Sequence, residues 1–236
     1  MKKILNLLIV FVITLSCLSL SAVFGNINNS NDNTDNGVDW SNITISCLGD
    51  SITESPYIDK AYPVVLQEIL GAKKCYNFGI SGSTCALVQD ENGNDLQNSM
   101  CLRYADMPKS SDIIIVMCGV NDTTNVPLGT INDVDISTYY GALNTLCNNL
   151  KKNYKDSYVF FMTNFAYSST ENIFQSVAIK QVCEKQGIDV FDVFSKVPFD
   201  VNVDTYDGCH PTQNFVSNVW TPKIAQFIKD NYKKIN

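Results

Sequence analysis

Histidine occurs once in the 236 residues. No Cys-x-x-Cys pair is present either, which leaves a zinc site without its usual ligands. Basic residues are few: 17 Lys and Arg stand against 24 Asp and Glu, for a formal net charge of −7. A surface that acidic repels phosphate, so nucleic acid and anionic membrane are disfavoured as partners. Twelve glycines and seven prolines are too few for a fibrous or disordered chain, and no internal repeat is visible. What remains, with 45% hydrophobic and 17% charged residues, is a chain long enough for one domain with a sizeable core. It suits a soluble enzyme or a binder of neutral ligands.

The one long apolar run lies at the start. Lys2 and Lys3 precede a stretch from Ile4 to Leu20, and Ser21, Ala22, Val23, Phe24 and Gly25 follow. A basic start, a hydrophobic middle and a small-residue exit read as a secretory signal peptide over 1–25, which implies a secreted protein. The competing readings are an uncleaved anchor, since the run nears the ~20 residues a span needs, and a lipoprotein modified at Cys17. Residues 26–40 are rich in Asn and Asp. Such sequence buries too little apolar area to offset ordering entropy, so it reads as a flexible tether; its acids do not meet the spacing of a calcium loop. The folded part is then expected over 41–236.

Within it, short apolar runs alternate with helical patterns. Ile43–Leu48, Cys75–Phe78, Ile113–Cys118, Tyr158–Met162 and Ile188–Phe191 read as strands. Tyr62, Val65, Leu66, Ile69 and Leu70 recur at helix spacing, as do Tyr139, Leu143, Leu146, Cys147 and Leu150. Phe174, Val177, Ala178 and Val182 mark a further helix, and a closing one begins near Pro222. Continuously apolar strands alternating with helices predict a parallel sheet of about five strands covered on both faces, an α/β/α three-layer sandwich. Right-handed crossovers put every strand's carboxyl end on one edge, where ligands bind.

Four segments fall at that edge. Gly49-Asp50-Ser51 follows the first strand and Gly79-Ile80-Ser81-Gly82 the second. Gly119-Val120-Asn121-Asp122 follows the third, and Asp207-Gly208-Cys209-His210 precedes the closing helix. The sole histidine stands three residues after Asp207, close enough for the carboxylate to fix its tautomer. A Ser hydroxyl becomes a nucleophile only beside such a base, and Ser51, on a sharp turn after a strand, supplies one.

In order and spacing these segments resemble the sequence blocks of the SGNH (GDSL-type) hydrolase superfamily, over essentially the whole of 43–236. The resemblance implies a flavodoxin-like sheet and a serine esterase. It makes Ser51 the nucleophile, His210 the acid–base and Asp207 its orienting carboxylate, the general triad logic. It makes the N–H of Ser51, the N–H of Gly82 and the side-chain amide of Asn121 the oxyanion donors. No cofactor and no metal are implied. Gly82 lacks a Cβ, which lets backbone approach the substrate. Asp50 and Asp122 are expected to hold loops by accepting backbone N–H bonds.

Other residues invite competing readings. Cys209 adjoins His210, but adjacent side chains rarely face each other. Ser81 imitates an incomplete Gly-x-Ser-x-Gly elbow and is expected to bond within its turn. Of nine cysteines, Cys47 and Cys118 fall on strands as small hydrophobes, while Cys85 and Cys101 flank the polar stretch Gln89–Ser99 and form the one pair proposed here for a disulfide. The insertion between Thr84 and Met107 and the stretch Asn164–Phe174 should shape the substrate pockets. Phe165 and Tyr167 are equally suited to a sugar face or to packing. The substrate class that fits best is a small-molecule or carbohydrate ester carrying an acetyl or other short acyl group. A lysophospholipase or thioesterase of the same superfamily, an O-acyltransferase using the same triad and an inactive binding module are the rivals.

Overall fold

Strands so apolar that polar and apolar residues do not alternate can be stable only where both faces are covered. The computed structural model, which describes residues 37–123, 126–167 and 171–233, arranges them in that way. Five parallel strands, β1 (Thr44–Gly49), β2 (Lys74–Gly79), β3 (Ile113–Met117), β4 (Tyr158–Met162) and β5 (Asp189–Phe191), lie in the order β2-β1-β3-β4-β5. This is the flavodoxin-like order expected. The proposed signal peptide lies outside the described residues, as does most of the proposed tether.

Ile113, Ile115 and Met117 of β3 point to one face and Ile114 and Val116 to the other, and all five are fully buried. The first face is covered by α2 (Tyr62–Leu70) and by the closing helix α6 (Thr221–Asn231). The second is covered by α3 (Met100–Arg103), α4 (Tyr139–Asn153) and α5 (Glu171–Gln186). A single turn, α1 (Ser51–Glu54), follows β1 directly. Thr138 caps α4 by accepting from the N–H of Gly141, and Lys151 and Lys152 sit in its last turn, where cations complement the helix dipole. Among the described residues no helix is long and apolar enough to cross a membrane.

Two expectations are corrected. Val38 and Trp40, assigned to the tether, are buried, and Trp40 packs 5.8 Å from the ring of Tyr232; the folded part therefore starts before residue 41. Cys85 and Cys101 are free buried thiols rather than a disulfide, as are Cys47, Cys75, Cys118, Cys147 and Cys183. The helix marked by Phe174, Val177, Ala178 and Val182 is α5, and it buries Ala178, Ile179, Val182 and Cys183 while Phe174 and Val177 stay exposed.

Candidate active site

The strand order reverses between β1 and β3, so the loops after these two strands diverge and leave a crevice at the carboxyl edge. Ser51 stands on one side of it and Asn121 on the other. Asp50 caps α1, its Oδ1 accepting the N–H of Ile52 at 2.9 Å. Ser51 is therefore the first residue of a helical turn, where an N–H has no partner within the helix.

His210 comes from a loop that its own backbone closes. Thr205 and Pro211 pair as an antiparallel bridge, and the N–H of Tyr206 donates to the carbonyl of His210. Tyr167 braces it by donating its hydroxyl to the Cys209 carbonyl at 2.8 Å. The imidazole Nε2 stands 2.9 Å from Ser51 Oγ and the Nδ1 2.7 Å from Asp207 Oδ2. The other Asp207 oxygen accepts the N–H of His210 at 2.8 Å and that of Cys209 at 3.0 Å. The His210 N–H, followed by the imidazole bond, pulls the carboxyl down to about 2. An ionised carboxylate can only accept. Nδ1 therefore carries the proton, and the Nε2 lone pair receives the hydroxyl of Ser51.

Across the crevice Asn121 donates from Nδ2 to the Ser83 carbonyl at 2.9 Å, which fixes the amide plane and leaves a second N–H to direct elsewhere. Gly82 is needed here for conformation more than for space. Its φ is +77°, a left-handed backbone, whereas an added Cβ would meet only Gln97 Oε1, at 3.7 Å. All five residues named from the sequence, Ser51, Gly82, Asn121, Asp207 and His210, thus lie on the rim of the sheet.

The two acids expected to hold loops do so. Asp122 accepts the N–H groups of Cys85 and Ala86, each at 2.9 Å, tying the loop after β3 to the one after β2. Burial is the largest influence on both carboxyls and raises Asp122 to about 7 and Asp50 to about 6. Oδ2 of Asp50 is buried without a hydrogen-bond partner. Ser81 departs from expectation: its N–H and hydroxyl both donate to Glu54 Oε2, at 2.7 and 2.5 Å, so it links two loops rather than its own turn. Phe165 is fully buried among Phe199, Phe215 and Trp220, and packing accounts for it. Burial pushes the Cys209 thiol up, away from the reactive thiolate.

One residue of this region escaped the sequence reading. Arg103, at the end of α3, donates to the carbonyls of Gly49 at 2.5 Å, Phe78 at 2.7 Å and Asn98 at 2.8 Å, and to Ser83 Oγ at 3.0 Å. It clamps the loops that carry Ser51 and Gly82. The signal was that it is the only arginine in the chain, all other basic residues being lysines; only the planar fork can serve several acceptors in fixed directions.

Two hollows lie among these residues. A small groove on the imidazole side is lined by Ser51, Ser55, Tyr57, Ile58, His210 and Pro211. A separate cleft of about 170 Å³ is lined by Gly82, Thr84, Val88, Gln97, Asn121 and Val126. A third cavity, about 470 Å³, is bordered by the first residues of β4 and β5 and the last of α6. It therefore opens at the opposite, amino edge of the sheet, away from this chemistry. Among the described residues no group of three or more His, Cys, Asp and Glu is placed to hold a metal ion.

Residues 47–214 match the model of the GDSL-like Lipase/Acylhydrolase family. No match is found among curated proteins. Solved structures share the fold at low identity. A protein from Lactobacillus plantarum is 24% identical with a TM-score of 0.73, over 81% of this chain and 98% of that one. A lipase/acylhydrolase from Enterococcus faecalis is 19% identical with a TM-score of 0.57, over 82% and 99%. An acetyl xylan esterase from Geobacillus stearothermophilus is 17% identical with a TM-score of 0.58, over 82% and 97%. The family match spans all four rim segments, and on that ground the chain belongs to the GDSL-like lipase/acylhydrolase family and is a carboxylic ester hydrolase.

Proposed function

We propose that the protein cleaves its ester through an acyl-enzyme formed on Ser51. The observation that carries this is the unbroken chain Asp207 Oδ2, His210, Ser51 Oγ, with contacts of 2.7 and 2.9 Å. Ser51 Oγ attacks the ester carbonyl carbon while its proton passes to Nε2 of His210. The new imidazolium is stabilised by ionised Asp207. The carbonyl oxygen, now an anion, takes the N–H of Ser51, the N–H of Gly82 and the free Nδ2 hydrogen of Asn121. As the C–O bond to the alcohol breaks, Nε2 returns the proton to the departing oxygen. A water then enters, gives its proton to Nε2 and attacks the acyl carbon, and Ser51 leaves with that proton restored.

The substrate we favour carries an acetyl or other short acyl group on a carbohydrate. The cleft beside the oxyanion donors, about 170 Å³, is close to the ~150 Å³ of a cavity that accepts benzene. It suits an acyl group of a few carbons better than a fatty chain. The reading of residues 1–25 as an export signal would place the activity outside the cell.

The test is acyl release from a panel running from acetylated xylan and 4-nitrophenyl acetate to long acyl chains and acyl thioesters, with and without an added alcohol acceptor. Short acetyl esters should be hydrolysed fastest, and Ser51→Ala and His210→Ala should each lower kcat by ~10⁴–10⁶ with the fold kept. Normal turnover by purified Ser51→Ala would refute the mechanism. A preference for long chains, thioesters or transfer to the alcohol would move the substrate to one of the rivals.

A further inference from the structure

The proton that His210 returns goes to the leaving oxygen, so the alcohol half of the ester must sit on the imidazole side of Ser51, with the carbonyl oxygen turned toward Gly82 and Asn121. The groove on the imidazole side owes its shape to one residue. Ser55, at the end of α1, takes a left-handed conformation with φ of +55° and donates its hydroxyl to the Ile52 carbonyl at 2.7 Å. Among the described residues only Asn98 is another non-glycine residue at positive φ, and its carbonyl is held by Arg103 on the same rim. A side chain in that region costs of order 1–3 kcal/mol and persists only where surrounding structure imposes it, most often at functional sites. Two residues after Ser55, Tyr57 meets the histidine. The Tyr57 ring centroid stands 4.9 Å from that of His210, edge-on at 60°, yet 63% of the residue remains exposed.

We propose that Tyr57 is the platform on which the alcohol moiety of the substrate, a pyranose ring, stacks during ester cleavage; this rests on the acyl-enzyme reading given above. A pyranose has a face of C–H bonds and a rim of hydroxyls. An aromatic ring carrying its own hydroxyl, open to water on one side and bordered by Ser55, matches both features. A flexible alkyl alcohol would gain more from an enclosed apolar channel than from one open ring. An anionic headgroup would meet a chain of net charge −7 and be repelled.

The experiment keeps the acyl group constant and varies only the alcohol. Acetate release is measured from an acetylated xylo-oligosaccharide and from ethyl acetate by the wild-type protein, Tyr57→Ala, Tyr57→Trp and Ser51→Ala. The exposed position of Tyr57 lets these replacements fold. The ratio of kcat/KM for the sugar ester over ethyl acetate should exceed one in the wild type. It should fall about tenfold in Tyr57→Ala, through KM, as expected for one aromatic contact, and be held within about threefold by Tyr57→Trp, which keeps a ring. An unchanged ratio in Tyr57→Ala, or a wild-type ratio below one, would overturn the platform while leaving the nucleophile in place, provided Ser51→Ala is inactive on both esters. Activity retained by Ser51→Ala would sink the nucleophile and the platform together.

Discussion

Asp122 allows a sharp test, because its energetics and its position point in different directions with pH. It is fully buried, and burial raises its carboxyl to about 7, against ~3.9 in an unfolded chain. Between those values the folded state holds a proton that the unfolded state has released, so stability falls as pH rises through this window and the penalty is complete above it. At about 1.4 kcal/mol per unit, this one carboxylate should make the protein roughly 4 kcal/mol less stable at pH 8 than at pH 4. Asp122→Asn keeps the shape but cannot titrate. Asn offers one oxygen to the two N–H groups of Cys85 and Ala86 and turns an NH2 toward the other, which costs ~1–3 kcal/mol at every pH. The variant should therefore be less stable than the wild type near pH 4.5, draw level as pH rises and overtake it by pH 8. Urea midpoints across pH 4.5–8.5 measure this. Asp50, whose charge adds to the Asp122 shift less than burial does, is itself raised to about 6 and remains in both proteins. So does Asp207, whose depressed carboxyl is lost only as pH falls toward about 2. Parallel curves for the two proteins would show that Asp122 is not buried as a charge at all.

The same residue shows how far the sequence could be read. That Asp122 would hold a loop followed from the habit of Asp in turns; that the loop would be the one carrying Cys85 followed from nothing local, since 37 residues separate them. The central strand β3 was legible because both its faces are buried, and that demand writes the unbroken apolar run 113–117, whereas the edge strands β2 and β5 are partly exposed and left a shorter signal. The rim residues were legible because parallel topology sends every strand's end to one edge, so motifs far apart in sequence must meet. What stayed hidden depends on contacts between distant segments. Arg103 becomes a clamp only when the insertion after β2 folds back on Gly49 and Phe78. Trp40 leaves the tether only because Tyr232 arrives beside it. Phe165 follows a rim strand, as a substrate-facing aromatic would, but four other rings close over it. Cys85 and Cys101 flank a polar loop as a bridge would, yet each is buried as a free thiol.

Two further substitutions bear on the rim. Asn121→Ala should lower kcat by ~10²–10³ with little change in KM, because in the proposed mechanism its free Nδ2 hydrogen is offered to the anion rather than to the ground-state ester; steady-state kinetics on 4-nitrophenyl acetate would refute this if KM alone changed. Gly119→Ala meets two obstacles at once. The backbone there has a φ of +111°, and a Cβ would stand 2.5 Å from Tyr139 Oη, on a ring that is itself fully buried. Torsional strain and overpacking cost about 1–3 kcal/mol each, so thermal unfolding should show a loss of several kcal/mol. Adding Tyr139→Phe removes the oxygen that is struck but leaves the torsion, and the contacts of 3.1 Å with Asn164 Nδ2 and Gln175 Cβ, as they were. The double variant should therefore recover no more than about half of the loss relative to Tyr139→Phe alone. Full recovery would mean that the positive φ costs alanine nothing here, and wild-type stability in Gly119→Ala would mean that the turn after β3 relaxes freely and does not fix Asn121.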